Sequence, residues 1–147
     1  MFKRILVATD GSPLSKKAVA SAIALAAQNG AELVALTVVP RYPTNYFDGA
    51  AVFTPEDIGR IEKQWAEAAQ ASLDEIAQQA EASGVKVKTS TVSADLVGDA
   101  IIAAAKKHES DTIVMASHGR QGIKRLLLGS ETQHVLTHSD LPVLVLR

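Results

Sequence analysis

The sequence contains no cysteine, which excludes disulfides, thiol catalysis and thiolate metal sites and suits a reducing compartment. Aromatic residues are only 4% of 147, with a single tryptophan, so a flavin pocket has little to be built from. Neither sign of charge dominates. Lys and Arg total 15 against 16 for Asp and Glu, a formal charge of -1, which gives extended contact with a nucleic-acid backbone no electrostatic support. Long apolar runs are missing too, and Met1-Phe2-Lys3-Arg4 leads straight into a strand pattern without a small-residue cleavage site. The expectation is a cytoplasmic protein that is not membrane-embedded and carries no leader. There is no Walker lysine in its glycine context, no G-x-S-x-G elbow, no G-x-G-x-x-G and no paired carboxylates, so the usual P-loop, hydrolase and dinucleotide signatures are absent.

What is present is a chain 47% apolar and 21% charged, long enough to bury a core without metal or disulfide help. One domain over 1–147 is expected. Residues 3–9 (KRILVAT) form a short β-branched run, read as a strand buried on both faces. Ser12 then caps a helix with Pro13 at its first position and Gly30 as its stop, and Ala18, Ala22, Leu25 and Ala26 line the packed face. A second strand, 32–39, is closed by Pro40. The long stretch 40–54 carries Tyr42, Tyr46, Phe47 and Phe53 and is open between a lid, a partner-binding loop and an excursion whose aromatics tuck against the body.

Thr54-Pro55-Glu56-Asp57 starts the longest helix, whose inward stripe is read as Ile58, Ile61, Trp65, Ala68, Ala69, Ser72, Ile76 and Ala80, with Trp65 in the core. Residues 85–93 alternate as an edge strand protected by Lys86 and Lys88. A helix over 95–108, a strand over 111–117, a helix over 131–138 and a strongly apolar strand over 141–146 complete the chain. Alternating strands and helices predict a doubly wound α/β fold: a five-stranded parallel sheet of order 3-2-1-4-5 with helices on both faces. The last strand then lies at an edge and predicts a homodimer through Val143–Leu146.

In such a sheet ligands settle at the carboxyl ends of the strands where the winding reverses, here between the first and fourth. The loops leaving those strands are Thr9-Asp10-Gly11-Ser12 and Ala116-Ser117-His118-Gly119, the two most polar glycine-bearing loops. The second runs on to Gly129-Ser130, where Ser130 and Gln133 read as a capping box opening a helix. Gly119 and Gly122 are expected to use φ > 0, while Arg120, Lys124 and Arg125 add positive charge. Strand, glycine loop and helix start together predict a nucleotide phosphate site, its anion facing the N–H groups of Gly129 and Ser130. A purely structural connection is the other reading of the same residues.

The opening ILVATDGS, the TVV ending strand two, MASHG, the nine residues 120–128 followed by GS, and the closing PVLVLR resemble the universal stress protein family over essentially the whole chain. Nucleotide-binding members carry G-x-x-G, nine residues, then G-S/T; this chain keeps the spacing, with Ala116 in place of the first glycine. The resemblance implies ATP binding, with a divalent ion such as magnesium bridging phosphate oxygens. Asp10 would lie near ribose or adenine, Thr9 would be a further nucleotide-binding residue, and the main chain of Val38 would read the adenine edge. Met115 and Ala116 would line base and sugar. Gly119, Arg120, Gly129, Ser130 and Thr132 would hold the phosphates, and His118 would be a further nucleotide-binding residue. It further implies a cytoplasmic dimer, or a higher oligomer, whose nucleotide state regulates assembly or a client protein.

Catalysis finds no convergent nucleophile, base and orienting group. Asp10 stands between activating water or holding a metal and simply capping the turn before Ser12; His118 stands between donating to a phosphate and positioning its loop. His134 and His138, four apart, lack the Glu of H-E-x-x-H and a third ligand, and read as surface or capping residues. A weak ATPase and a nucleotide-independent dimeric adaptor are the remaining alternatives.

Overall fold

A computed structural model describes residues 1–42, 54–119 and 128–147. The expectations placed on Tyr46, Phe47 and Phe53, and on Arg120, Gly122, Lys124 and Arg125, fall outside the described residues. Elements follow the chain as β1 (Arg4–Ala8), α1 (Pro13–Asn29), β2 (Glu32–Val39), α2 (Pro55–Ala82), β3 (Val87–Ser93), α3 (Val97–Lys107), β4 (Thr112–Ala116), α4 (Ser130–His138) and β5 (Val143–Leu146). The strands form one parallel sheet of order β3-β2-β1-β4-β5, as expected.

Side-chain alternation along the central strands builds two cores. Ile5, Val7, Leu33, Ala35 and Val114 meet α1 and α2, where Ala18, Ala22 and Ala26 let α1 approach closely. On the other face Leu6, Leu36, Ile113 and Met115 meet Ile101, Ala104 and Ala105 of α3 and Val135 of α4. Strands covered on both faces need no polar side, which explains their continuous apolar runs.

The helix punctuation is chemical. Ser12 accepts the N–H of Ser15 at 3.2 Å, Pro13 follows, and Gly30 ends α1 in the left-handed region at φ 64°. Thr54 and Asp57 close a reciprocal capping box on α2. Trp65 is a correction: it is 36% exposed and stacks on Tyr42, ring centroids 6.1 Å apart. The 28 residues of α2 span about 42 Å, longer than β2, so only the C-terminal half lies over the sheet and buries Leu73, Ile76 and Ala80. Helical period identifies a stripe, not how far the sheet beneath it extends. The third strand also begins two residues later than expected, because the Val85 N–H closes α2 by bonding Ala80 O at 2.9 Å.

At the amino ends of the strands Arg4 bonds Glu32 at 2.9 Å and the His108 carbonyl at 2.8 Å. Arg4 and Lys86 hold the Glu32 carboxyl below its usual range. Burial, helped by Lys88, Lys107 and Arg4, holds His108 below its ordinary value of 6.5. This charged end lies opposite the candidate site.

Candidate functional site

The site is built where β1 and β4, adjacent and parallel, send their chains to opposite faces of the sheet. After β1 the backbone is held by a buried hydroxyl chain. Ser15 Oγ donates to Ser12 O at 2.9 Å, which spends its hydrogen, so Thr9 Oγ1 donates to Ser15 Oγ at 3.0 Å while accepting the Gly11 N–H at 3.3 Å. Thr9 is thus 6% exposed and shapes the turn from within. Asp10, exposed, accepts the Ser12 N–H at 2.9 Å through Oδ1, which is the turn-capping one of the two roles open to it. Its other oxygen faces the β4 loop. A Cβ added to Gly119 would lie 2.5 Å from Asp10 Oδ2. A side chain there would have to push the Asp10 carboxylate aside; the backbone of Gly119 is not among those with positive φ, which corrects the conformational expectation.

The β4 loop is in turn fastened to α4. Gly129 N–H donates to Ser117 O at 2.7 Å, and a Cβ at 129 would meet that oxygen at 3.3 Å and His118 Cα at 3.4 Å. The Gly129 amide is therefore spent inside the protein, which corrects the expectation that it faces an anion. The cap changes accordingly. Gly129, not Ser130, is the N-cap of α4, and it supplies no side-chain bond. Ser130 Oγ donates to the Glu131 carboxylate at 2.9 Å and Gln133 Nε2 to Leu128 O at 3.2 Å, so the expected capping box does not form. The first helical bond is Gln133 N–H to Gly129 O at 3.0 Å. The N–H groups of Ser130, Glu131 and Thr132 precede it and have no intrahelical acceptor.

Val38 occupies the third wall. A strand residue turns its N–H and C=O to the same neighbour, alternating along the chain. Leu36 O accepts the Thr9 N–H at 2.9 Å and Val39 O accepts the Ala94 N–H at 3.1 Å, so Val38 turns its polar groups toward β1. The β1 pairing stops at Ala8 with Leu36, leaving the Val38 main chain beyond it. Met115 is buried in the second core beneath this edge, with Val38 packed against the same cluster. Ala116 is 8% exposed and, by alternation, carries its methyl on the Val114 face of the sheet, away from Met115. The methyl that replaces the motif glycine thus lies on the α1 side.

Of the residues singled out from sequence, Asp10 and Gly119 meet across the two loops, Gly129 bonds Ser117 O beside His118, Thr132 Oγ1 lies 2.9 Å from Ala116 O, Thr9 holds the β1 turn from within, and Val38 and Met115 line the strand ends beside them. Arg120 is outside the described residues. His118 Nδ1 lies 3.3 Å from Gly119 O and engages its own loop. Ser15 and Ser117 went unforeseen. Ser15 sits three residues after a cap Ser, a spacing that signals a hydroxyl contact, whereas Ser117 acts through its carbonyl and leaves no trace in the sequence.

Away from the site, His134 Nε2 bonds Asp99 Oδ1 at 2.6 Å and stacks on His138, centroids 4.1 Å apart, as surface residues tying α4 to α3. Among the described residues no group of three His, Asp or Glu side chains is arranged to hold a metal. No helix among them is long and apolar enough to cross a membrane.

Comparison with known proteins adds to this geometry. The family model described as the universal stress protein family matches residues 1–147. Universal stress protein MJ0531 of Methanocaldococcus jannaschii is 33% identical over 147 residues, covering 100% of this chain and 83% of its own length. The solved structure of MJ0577, from the same organism, superposes with a TM-score of 0.83 at 29% identity, covering 99% of this chain and 96% of that one. A universal stress protein solved in complex with cAMP gives 0.70 at 27% identity, with 99% and 97% covered.

Proposed function

Since the chain belongs to the universal stress protein family and shares its stress-response role, we propose that it binds ATP in the crevice between the β1 and β4 loops. Its nucleotide state then tunes its assembly or its affinity for a client protein. The observation that carries the reading is the first turn of α4, which has no side-chain cap among the described residues and where Ser130, Glu131 and Thr132 offer N–H groups to an anion and the helix dipole favours one. The Val38 main chain offers a donor and an acceptor to the edge of an adenine. A relative of similar fold solved with cAMP supports an adenine nucleotide in particular. Should magnesium accompany the nucleotide, Asp10 is the carboxylate of the β1 loop that would help hold it, and the ion would offset phosphate charge.

Assembly is proposed through β5. Among the described residues that strand pairs only with β4, and Leu144 on it is 43% exposed, an apolar edge that a second copy would cover. We place the protein in the cytoplasm as a binding protein rather than an efficient enzyme. Among the described residues, Asp10 and His118 are not joined to each other or to a nucleophile in a set of nucleophile, base and orienting group.

Calorimetric titration with ATP, ADP and AMP, with and without magnesium, tests the reading on wild type and Gly129→Val. Binding by wild type and loss in a folded Gly129→Val support it; no binding by wild type ends it. The adaptor reading rests on the internal use of the Gly129 amide and the Thr132 hydroxyl, which make the loop self-sufficient. Assembly unchanged by nucleotide would favour it.

A further inference from the structure

We infer that the Thr132 side chain is a positioning group: its hydroxyl latches the first turn of α4 to the end of β4 and fixes the turn's N–H groups, while the side chain itself touches no phosphate. This rests on the nucleotide reading of the site. Thr132 is 2% exposed, and its Oγ1 lies 2.9 Å from Ala116 O and 3.2 Å from Ser117 O. A threonine hydroxyl has one hydrogen, which these two carbonyls share. Nothing remains to donate to an anion, and the oxygen's lone pairs would repel one.

The two carbonyls need this donor. Ile113 and Ser117 turn their N–H groups toward β5, bonding Pro142 O and Leu146 O at 3.0 and 2.7 Å, so Ala116 turns toward β1. The β1 to β4 pairing ends at Val7 with Val114, and the Ala116 carbonyl lies past it in a buried position. An unsatisfied buried carbonyl is costly, and the Thr132 hydroxyl fills that place. Ser117 O receives the Gly129 N–H as well. The turn is therefore pinned at its cap and again three residues later, both times on the same carbonyl, and cannot rotate about its axis without breaking one bond. β-Branching restricts the Thr132 rotamer, and burial of its methyl holds the hydroxyl on target.

The variants are Thr132→Val, nearly isosteric without the donor, and Thr132→Ser, which keeps it. Amide exchange at Gly129 is measured without nucleotide, and affinity for ATP with magnesium and for adenosine is measured by titration. Thr132→Val is expected to speed Gly129 exchange and weaken ATP binding, each by about tenfold or more. Adenosine binding should change by less than about threefold, and Thr132→Ser should stay within about threefold of wild type in all three. ATP binding lost with Gly129 exchange unchanged would mean direct phosphate contact and overturn the proposal; so would wild-type behaviour of Thr132→Val. Should Thr132→Val not fold, Thr132→Ala carries the same comparison. A wild type that binds no ATP would defeat the nucleotide reading alone, because the exchange comparison still decides whether the latch exists.

Discussion

A Cβ on Gly119 would lie 2.5 Å from Asp10 Oδ2, so a side chain at 119 must displace that carboxylate. The two residues are far apart in sequence and meet only because β1 and β4 are neighbours in the sheet. Gly119→Ala should leave stability within about 1 kcal/mol of wild type, since an exposed carboxylate can swing aside. ATP affinity should fall about tenfold as Asp10 and the loop are displaced. Urea unfolding and titration calorimetry measure the two; unaltered binding would separate Asp10 from the ligand.

Ser12 caps α1 through Ser15 and is 5% exposed. Ser12→Ala should cost about 1 kcal/mol, read as a lower urea midpoint at unchanged slope. A loss well below this would mean that Pro13 and the Thr9 to Ser15 hydroxyl chain hold the helix start unaided.

Much of the architecture was legible because its signals are local. Ser12-Pro13 and Gly30 bracket α1, Thr54-Pro55 opens α2, and the β-branched runs predict central strands. From the strand order, the meeting of the Asp10 and Gly119 loops followed. What escaped was set by long-range geometry. Trp65 has the right helical spacing for a core residue, but it sits where α2 has not yet reached the sheet. Ser130 and Gln133 have the right letters for a capping box, yet the bond from Gly129 to Ser117 O makes Gly129 the cap. The roles of Ser117 and Ala116 are those of main-chain carbonyls, which have no residue signature.

His108 gives the stability a pH dependence. Burial and the cations Lys88, Lys107 and Arg4 hold its folded pKa below the ordinary 6.5, so on acidification the unfolded chain takes a proton that the folded one resists. Its contribution is intact above the unfolded pKa and is lost as pH falls from there through the folded pKa. Urea midpoints across that window should fall more steeply for wild type than for His108→Asn. Parallel curves would remove His108 as the cause. The depressed Glu32 carboxyl acts in the same direction in a more acidic range.

Leu144→Lys places a charge on the proposed β5 interface at a position already 43% exposed, where the folded monomer loses little. Sedimentation velocity over a concentration series should find dimerisation weakened by about tenfold or more. A variant that associates as wild type does would move the interface elsewhere.

The most direct measurement is a crystal structure grown with ATP and magnesium. The expected density has adenine against the main chain of Val38 and phosphates at the N–H groups of Ser130, Glu131 and Thr132, with Gly129 still bonded to Ser117 O. A crevice that stays empty, or nucleotide bound at another place on the protein, would contradict the account.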